Sequence, residues 1–192
     1  MTTGKFQKII DTLTDGNTRY ASGQYQGPDT SVRHRDTLLL GQQPMAVVVA
    51  CSDSRVSPEI IFDLGLGDLF VVRTAGNLVD DLEVESIDYA VRHLLVPLVL
   101  VLGHTRCGAI TAAAEWEKDR VADGKIAHFL KPAIENAHLF SQDLIEGATL
   151  ANITEIVTRL NRTERFATLL NRQALRICGG IYHMEDGKVQ FL

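Results

Sequence analysis

The stretch Met45-Ala46-Val47-Val48-Val49-Ala50-Cys51 decides the fold of this chain. It is short, continuously apolar and rich in β-branched residues, which is typical of a strand buried on both faces of a sheet. Two later runs share this pattern, at Leu69–Arg73 and at Pro97–Leu102, and proline is tolerated at the first residue of a strand. The sequence therefore predicts three buried strands of similar character.

Segments with helical spacing of apolar residues separate these strands and follow them. The predicted helices are Thr3–Ser22, Asp81–Leu95, Cys107–Trp116, Lys125–Ser141 and Ala151–Asn171, and a helix start lies at Ser57-Pro58-Glu59. Near the end of the chain, Asp186-Gly187 separates two short runs and predicts a hairpin. Strands alternating with helices predict an α/β fold with a mainly parallel central β-sheet flanked by helices.

Length and composition indicate one ordinary globular domain. We expect residues 1–192 to form it, with an N-terminal helical arm in 1–40, a core in 41–192 and a C-terminal hairpin. The first helix precedes the first strand and is expected to pack on something other than this core. A net charge of -5 argues against nucleic acid or an anionic membrane as partner. The longest apolar run is too short to span a bilayer, and three cysteines without disulfide spacing indicate a reducing cytoplasm.

Three metal-ligating residue types follow the predicted strands. Cys51 comes directly after one strand, and His104 and Cys107 come after another. If those two strands are neighbours, the three side chains converge at the carboxyl edge of the sheet, where α/β proteins bind ligands. Two thiolates and one imidazole suit zinc, and three protein ligands leave a position for water, as in catalytic zinc sites. The alternatives are a structural zinc with Asp53 as fourth ligand, or buried thiols without metal.

Asp53 and Arg55 form a candidate catalytic pair beside Cys51. A carboxylate here can orient a water molecule, and a two-pronged hydrogen bond from Arg55 can keep that carboxylate off the metal. Gly108 follows Cys107 where a helix is predicted to begin. Free N–H groups there favour an anionic oxygen, and the missing side chain allows close approach of a substrate.

Cys-Ser-Asp-Ser-Arg at 51–55 and His-Thr-Arg-Cys-Gly at 104–108 resemble the signatures of the β-class carbonic anhydrases. The resemblance extends to Gly41–Pro44, Gly67–Arg73, Ala75–Asn77, Asp88–Val91 and Gly179–Tyr182. It implies reversible hydration of carbon dioxide to bicarbonate by attack of zinc-bound hydroxide. One zinc ion per subunit would be held by Cys51, His104 and Cys107, with Asp53 and Arg55 as the catalytic dyad.

The same resemblance implies further residues and a partner. Gln42 would donate a hydrogen bond to substrate, the Gly108 amide would bind a substrate oxygen, and Phe70 and Tyr89 would line the pocket. The protein would be a homodimer or homotetramer, with pockets at the subunit interface and the first helix embracing a partner.

Two branches of the resemblance bear on specificity. One subgroup, regulated by bicarbonate, has a tryptophan three residues before the first zinc cysteine; Val48 stands there in this chain. The chain therefore resembles the plant-type subgroup, in which the zinc is accessible. The scaffold also includes hydrolases of carbonyl sulfide or carbon disulfide, so that hydrolysis remains the alternative function.

Overall fold

The computed structural model describes residues 3–119 and 124–192, and five strands in them form one sheet in the order β2-β1-β3-β4-β5. All neighbouring strands are parallel except the final pair, so the predicted C-terminal hairpin is confirmed. The strands are β1 Ala46–Cys51, β2 Leu69–Thr74, β3 Leu98–His104, β4 Arg176–Tyr182 and β5 Val189–Phe191. The helices are α1 Thr3–Ala21, α2 Val32–Leu38, α3 Pro58–Ile61, α4 Asp81–His93, α5 Gly108–Asp119, α6 Lys125–Glu135, α7 Leu144–Arg162 and α8 Glu164–Asn171.

The central strands β1 and β3 are buried along their whole length. Their side chains alternate between two cores because successive residues of a strand point to opposite faces. Val47 and Val49 pack with α4, α7 and α8 on one face, whereas Val48 and Ala50 pack with α1 and α3 on the other. Helices on both faces explain why these strands are apolar at every position, and the predicted α/β class is confirmed.

Helix α7 lies directly against the sheet because two strand positions have no side chain. A Cβ atom at Gly103 would lie 2.6 Å from Cδ1 of Ile153, and one at Gly179 would lie 2.6 Å from Cγ2 of the same residue. Ile153 therefore fills the space above β3 and β4, which fixes α7 close to the carboxyl end of β3.

The first helix packs on its own chain, which corrects the expectation that it would pack elsewhere. Leu13 is fully buried in the core between α1 and the sheet. Asn17 donates to the carbonyl oxygens of Ile61 and Gly187, and its Oδ1 accepts from the N–H of Val189. The rest of the predicted arm, residues 22–40, is almost entirely exposed.

Three predicted element bounds were wrong. Strand β3 continues through Gly103 to His104 because its ladder with β4 extends to the pair His104–Tyr182. The predicted helix 125–141 ends at Glu135 and is followed by a short 3₁₀ turn. The predicted helix 151–171 is two helices, since α7 begins at Leu144 and the extended backbone of Thr163 separates it from α8.

Two local features fit this fold. Asp80 caps α4 and forms a capping box with Glu83, which satisfies the free N–H groups of the first turn. Cys178 is buried in the core, where burial raises the pKa of its thiol to about 11 and keeps it unreactive. None of the helices in the described part of the chain combines the length and the apolar composition needed to span a bilayer.

Candidate active site

Three candidate ligands meet where the two central strands end. Strands β1 and β3 are parallel neighbours, so Cys51 at the end of β1 and His104 at the end of β3 lie at one edge of the sheet. Cys107 follows three residues later, immediately before α5. The ligand atoms of all three residues lie within 4.8 Å of one another, and all three side chains are buried.

The turn between His104 and Cys107 is held in an unusual conformation. Arg106 has a φ of +56°, in the left-handed region that non-glycine residues seldom adopt. Glu185, in the hairpin between β4 and β5, accepts a hydrogen bond from Thr105 Oγ1 at 2.9 Å and one from Arg106 Nε at 2.8 Å. The hairpin thus braces the turn that carries two of the candidate ligands.

The ring of His104 is oriented as a metal ligand. Its Nδ1 lies 2.9 Å from the carbonyl oxygen of Thr105, and because a carbonyl can only accept, Nδ1 carries the proton. The other nitrogen, Nε2, therefore presents a lone pair. It is buried and has no hydrogen-bond partner within the described residues. Such an orphaned atom facing two sulfurs fits a metal ion.

The two candidate sulfur ligands lie close enough to interact. Sγ of Cys51 lies 4.0 Å from Sγ of Cys107, close to the ~3.8 Å expected for two thiolates bound tetrahedrally to zinc at about 2.3 Å. Hydrogen bonding from Cys107, together with the N–H groups of Asp53 and Gly76, lowers the pKa of Cys51 against the opposing effect of burial. The neighbouring Cys51 sulfur, together with burial, raises the pKa of Cys107. Both thiols must be deprotonated for their sulfurs to bind a divalent metal.

Asp53 is held away from the ligands by Arg55. The guanidinium donates from Nε to Oδ1 at 3.0 Å and from Nη2 to Oδ2 at 2.8 Å, and the N–H of Arg55 donates to Oδ1 at 3.0 Å. These bonds lower the pKa of Asp53 to about 2, although partial burial opposes the shift. Asp53 is not part of the ligand cluster found among the described residues. The geometry thus has three candidate protein ligands and a separate carboxylate beside them.

Comparisons with known proteins identify the family. A carbonic anhydrase family model matches residues 46–189. The chain is 38% identical over 183 residues to a carbonic anhydrase of Mycolicibacterium smegmatis, covering 93% of this chain and 89% of that protein. It is 39% identical over 181 residues to carbonic anhydrase 2 of Mycobacterium tuberculosis, covering 92% and 87%. The chain belongs to the β-carbonic anhydrase family. The solved structure of the β-carbonic anhydrase CcaA superposes with a TM-score of 0.75 at 28% identity, covering 97% of this chain and 94% of that one.

Within this β-carbonic anhydrase chain, the predicted substrate residues do not all reach the cluster. Gln42 is exposed and precedes the amino end of β1, whereas Cys51 lies at its carboxyl end. Phe70 on β2 pairs with Val47 on β1. Val47 precedes Cys51 by four residues, so Phe70 is displaced from Cys51 by about 13 Å along the strand direction. Tyr89 on α4 packs on Phe70 with ring centroids 6.2 Å apart and is half-exposed. These three residues lie away from the candidate ligands within the chain.

Gly108 lies where it was expected, at the first residue of α5 and next to Cys107. Apart from its chain neighbours and the backbone of its own helix, a Cβ atom added there would meet no atom of the described residues within 4 Å. The space beside the Gly108 backbone is therefore open, which suits the close approach of a small substrate.

Sequence reasoning missed residues that support the ligands from a distance. Gly76 donates its N–H to Cys51 Sγ, and Asn152 donates to the carbonyl oxygen of Gly76. Gly76 lies in a segment that the family resemblance includes, and this was a weak indication that it is close to the site. Asn152 gave none, because it lies 76 residues away from Gly76 on a helix with ordinary periodicity.

Proposed function

We propose that the protein catalyses the reversible hydration of carbon dioxide to bicarbonate on a zinc ion held by Cys51, His104 and Cys107. The single observation that carries this proposal is the buried cluster of two sulfurs and one imidazole, beside a carboxylate that Arg55 keeps out of it. The named relatives are carbonic anhydrases, which supports carbon dioxide over carbonyl sulfide as substrate.

Zinc fits this donor set better than magnesium or calcium, which prefer oxygen ligands. When bound, a zinc ion supplies a Lewis acid that lowers the pKa of a coordinated water from ~15.7 toward ~7. Two thiolates would neutralise much of the charge of the metal and so oppose this lowering of the pKa of water. The N–H groups that donate to Cys51 Sγ withdraw electron density from one of these sulfurs and partly offset that effect.

Asp53 acts as a hydrogen-bond acceptor that aims the attacking oxygen. Its pKa of about 2 makes it a poor proton acceptor near neutral pH, so the transferred proton does not rest on this carboxylate. Arg55 fixes both carboxylate oxygens and also donates to the carbonyl oxygen of Arg106. This bond ties the dyad to the turn 104–107, here called the ligand turn. The backbone N–H of Gly108 is the candidate donor to a substrate oxygen at the start of α5.

The substrate pocket is completed by a second subunit. Because Gln42, Phe70 and Tyr89 lie away from the ligands of their own chain, we assign them to the pocket of a partner in a homodimer or homotetramer. The positions of these residues support this assignment, since Gln42 is exposed, Tyr89 is 47% exposed and Phe70 lies on the edge strand β2. Leu39 and Leu40, just before Gln42, are 83% and 96% exposed and offer apolar surface for such an interface.

Subunit mixing tests this arrangement. Gln42→Ala keeps a complete ligand set, and Cys51→Ser keeps Gln42, so each homodimer alone lacks one part of the site. If Gln42 acts across the interface, mixing and reassociating the two variants restores part of the activity, because one site per heterodimer is complete. If the mixture stays as inactive as its two components, while wild-type protein treated in the same way recovers, Gln42 does not act across the interface.

The reaction itself is tested by two assays on one zinc-loaded preparation. Stopped-flow hydration of carbon dioxide with a pH indicator is expected to show catalysis that requires the metal. Sulfide release from carbonyl sulfide is expected to be slow by comparison. Rapid sulfide release without carbon dioxide hydration would replace the proposed function by the hydrolase alternative. The reduced cysteines that the site requires support the proposed cytoplasmic location.

A further inference from the structure

The sulfur of Cys51 accepts a buried hydrogen bond from a distant part of the chain. The N–H of Gly76 lies 3.2 Å from Cys51 Sγ. Gly76 belongs to the short 3₁₀ turn Ala75–Asn77 after β2 and has a φ of +72°, a left-handed conformation that glycine adopts without strain. A hydrogen bond to a thiolate withdraws electron density from the sulfur and so changes how strongly the sulfur donates to a metal.

Asn152 holds the turn that provides this N–H. Its Nδ2 donates to the carbonyl oxygen of Gly76 at 2.9 Å, and its side chain is 3% exposed. The helix that carries Asn152 has little freedom to move, because Ile153 fills the space left by Gly103 and Gly179. An amide on a fixed helix thus sets the position of one peptide unit, and that unit touches the ligand.

We propose that Asn152 is a positioning residue that holds the Gly76 amide on the sulfur of Cys51 and thereby tunes the bond between that sulfur and the metal. This inference rests on the zinc site of the proposed function. Asn152 touches neither substrate nor metal in this arrangement, and its effect passes through two hydrogen bonds. Substitution should therefore change the electronic character of the metal–sulfur bond as well as metal retention.

The test compares Asn152→Leu with Thr149→Val in the full-length protein. Leucine has the branching pattern of asparagine, although its side chain is larger, and it removes the donor to Gly76. Thr149 is the matched control: it is buried one turn earlier on the same helix, and its hydroxyl donates to the carbonyl oxygen of Ile145 within α7, its one partner in the described part of the chain. Valine keeps its shape. Each protein is loaded with Co²⁺ for absorption spectroscopy and with Zn²⁺ for release to a chelator.

We expect the sulfur-to-cobalt charge-transfer band of Asn152→Leu to move to longer wavelength, because a sulfur without its N–H donor gives up an electron more easily. Zinc release should be roughly 10- to 100-fold faster, the usual loss for a group supporting a metal ligand. Thr149→Val should match the wild-type protein in both measurements. If Asn152→Leu does not fold, Asn152→Ser, whose hydroxyl is too short to reach Gly76, is measured in the same way.

An unmoved charge-transfer band in a folded Asn152 variant would overturn the inference, even with faster zinc release, because loosened packing alone explains faster release. An equal change in Thr149→Val would also overturn it. These outcomes leave the proposed function standing, since the wild-type protein would still bind metal and hydrate carbon dioxide. A wild-type protein that binds neither Co²⁺ nor Zn²⁺ would refute both.

Discussion

Replacing Arg55 by alanine removes the guanidinium that holds both carboxylate oxygens of Asp53. Hydrogen bonding from Arg55 lowers the pKa of Asp53 to about 2, against an ordinary value of about 3.9. At 1.36 kcal/mol per unit, this difference corresponds to about 2.5 kcal/mol before solvent screening. Because the Arg55 side chain is 56% exposed, screening reduces the worth of the pair to about 1 kcal/mol.

The loss of the Arg55 guanidinium should appear mainly as a lower kcat/KM. If all of this stabilisation serves to orient Asp53 in the transition state, its loss lowers kcat/KM roughly fivefold. The freed carboxylate also competes for the open metal position, so the fall should be larger than fivefold. Stopped-flow carbon dioxide hydration, with the zinc content of each preparation measured, gives the value. Arg165→Ala is the control, because Arg165 makes exposed ion pairs with Glu85 and Asp88 on the outer helices.

The pH dependence of the same variant has a definite sign. The pKa of Asp53 is lower in the folded than in the unfolded protein, so its pair with Arg55 stabilises the fold above about pH 4 and stops doing so as the pH falls toward about pH 2. Arg55→Ala should therefore be less stable than the wild-type protein at neutral pH and equal to it in strong acid. Wild-type kcat/KM in fully zinc-loaded Arg55→Ala would refute the reasoning about the dyad.

Three further predictions concern the ligands, the first helix and the ligand turn. Cys51→Ser should lose zinc and activity together, as shown by metal analysis and the hydration assay; an active variant without zinc would contradict the ligand assignment. Gly16→Ala should destabilise the fold by about 1–3 kcal/mol in urea unfolding, because its Cβ would lie 1.8 Å from the carbonyl oxygen of Phe62. Gly4→Ala on the same helix meets no atom within 4 Å and should be neutral or stabilising by up to about 1 kcal/mol; equal effects of the two would argue against the docking of α1. Glu185→Gln keeps the shape but not the charge that Thr105 and Arg106 contact, so zinc release to a chelator should be several-fold faster, and an unchanged rate would show that the brace is dispensable.

The sequence predicted the sheet well because its central strands are covered by helices on both faces. A strand buried in this way must be apolar at every position, so the runs ending near Cys51 and His104 are visible without a structure. Parallel neighbours place their carboxyl ends together, and this rule alone brought the three ligands to one edge. The pairing of Asp53 with Arg55 was also predictable, since the two residues are only two positions apart.

Contacts between distant segments were beyond the reach of sequence patterns. The docking of α1 depends on Asn17, whose hydrogen-bond partners lie between 44 and 172 residues away in the sequence. These partners are backbone groups, so no side chain marks them in the sequence. The same is true of Asn152 and the carbonyl oxygen of Gly76. The break at Thr163 was missed because the apolar spacing continues across it from α7 into α8. The proposed partner contribution of Gln42 depends on an assembly that a single chain does not contain.

A crystal structure of the active protein, with anomalous data collected at the zinc edge, tests the central claim most directly. The account predicts one zinc peak per subunit, bound by Sγ of Cys51, Nε2 of His104 and Sγ of Cys107, with Asp53 still paired to Arg55. A zinc ion whose fourth ligand is Asp53 in crystals grown at a pH where the enzyme turns over, or active crystals without a zinc peak, would contradict it.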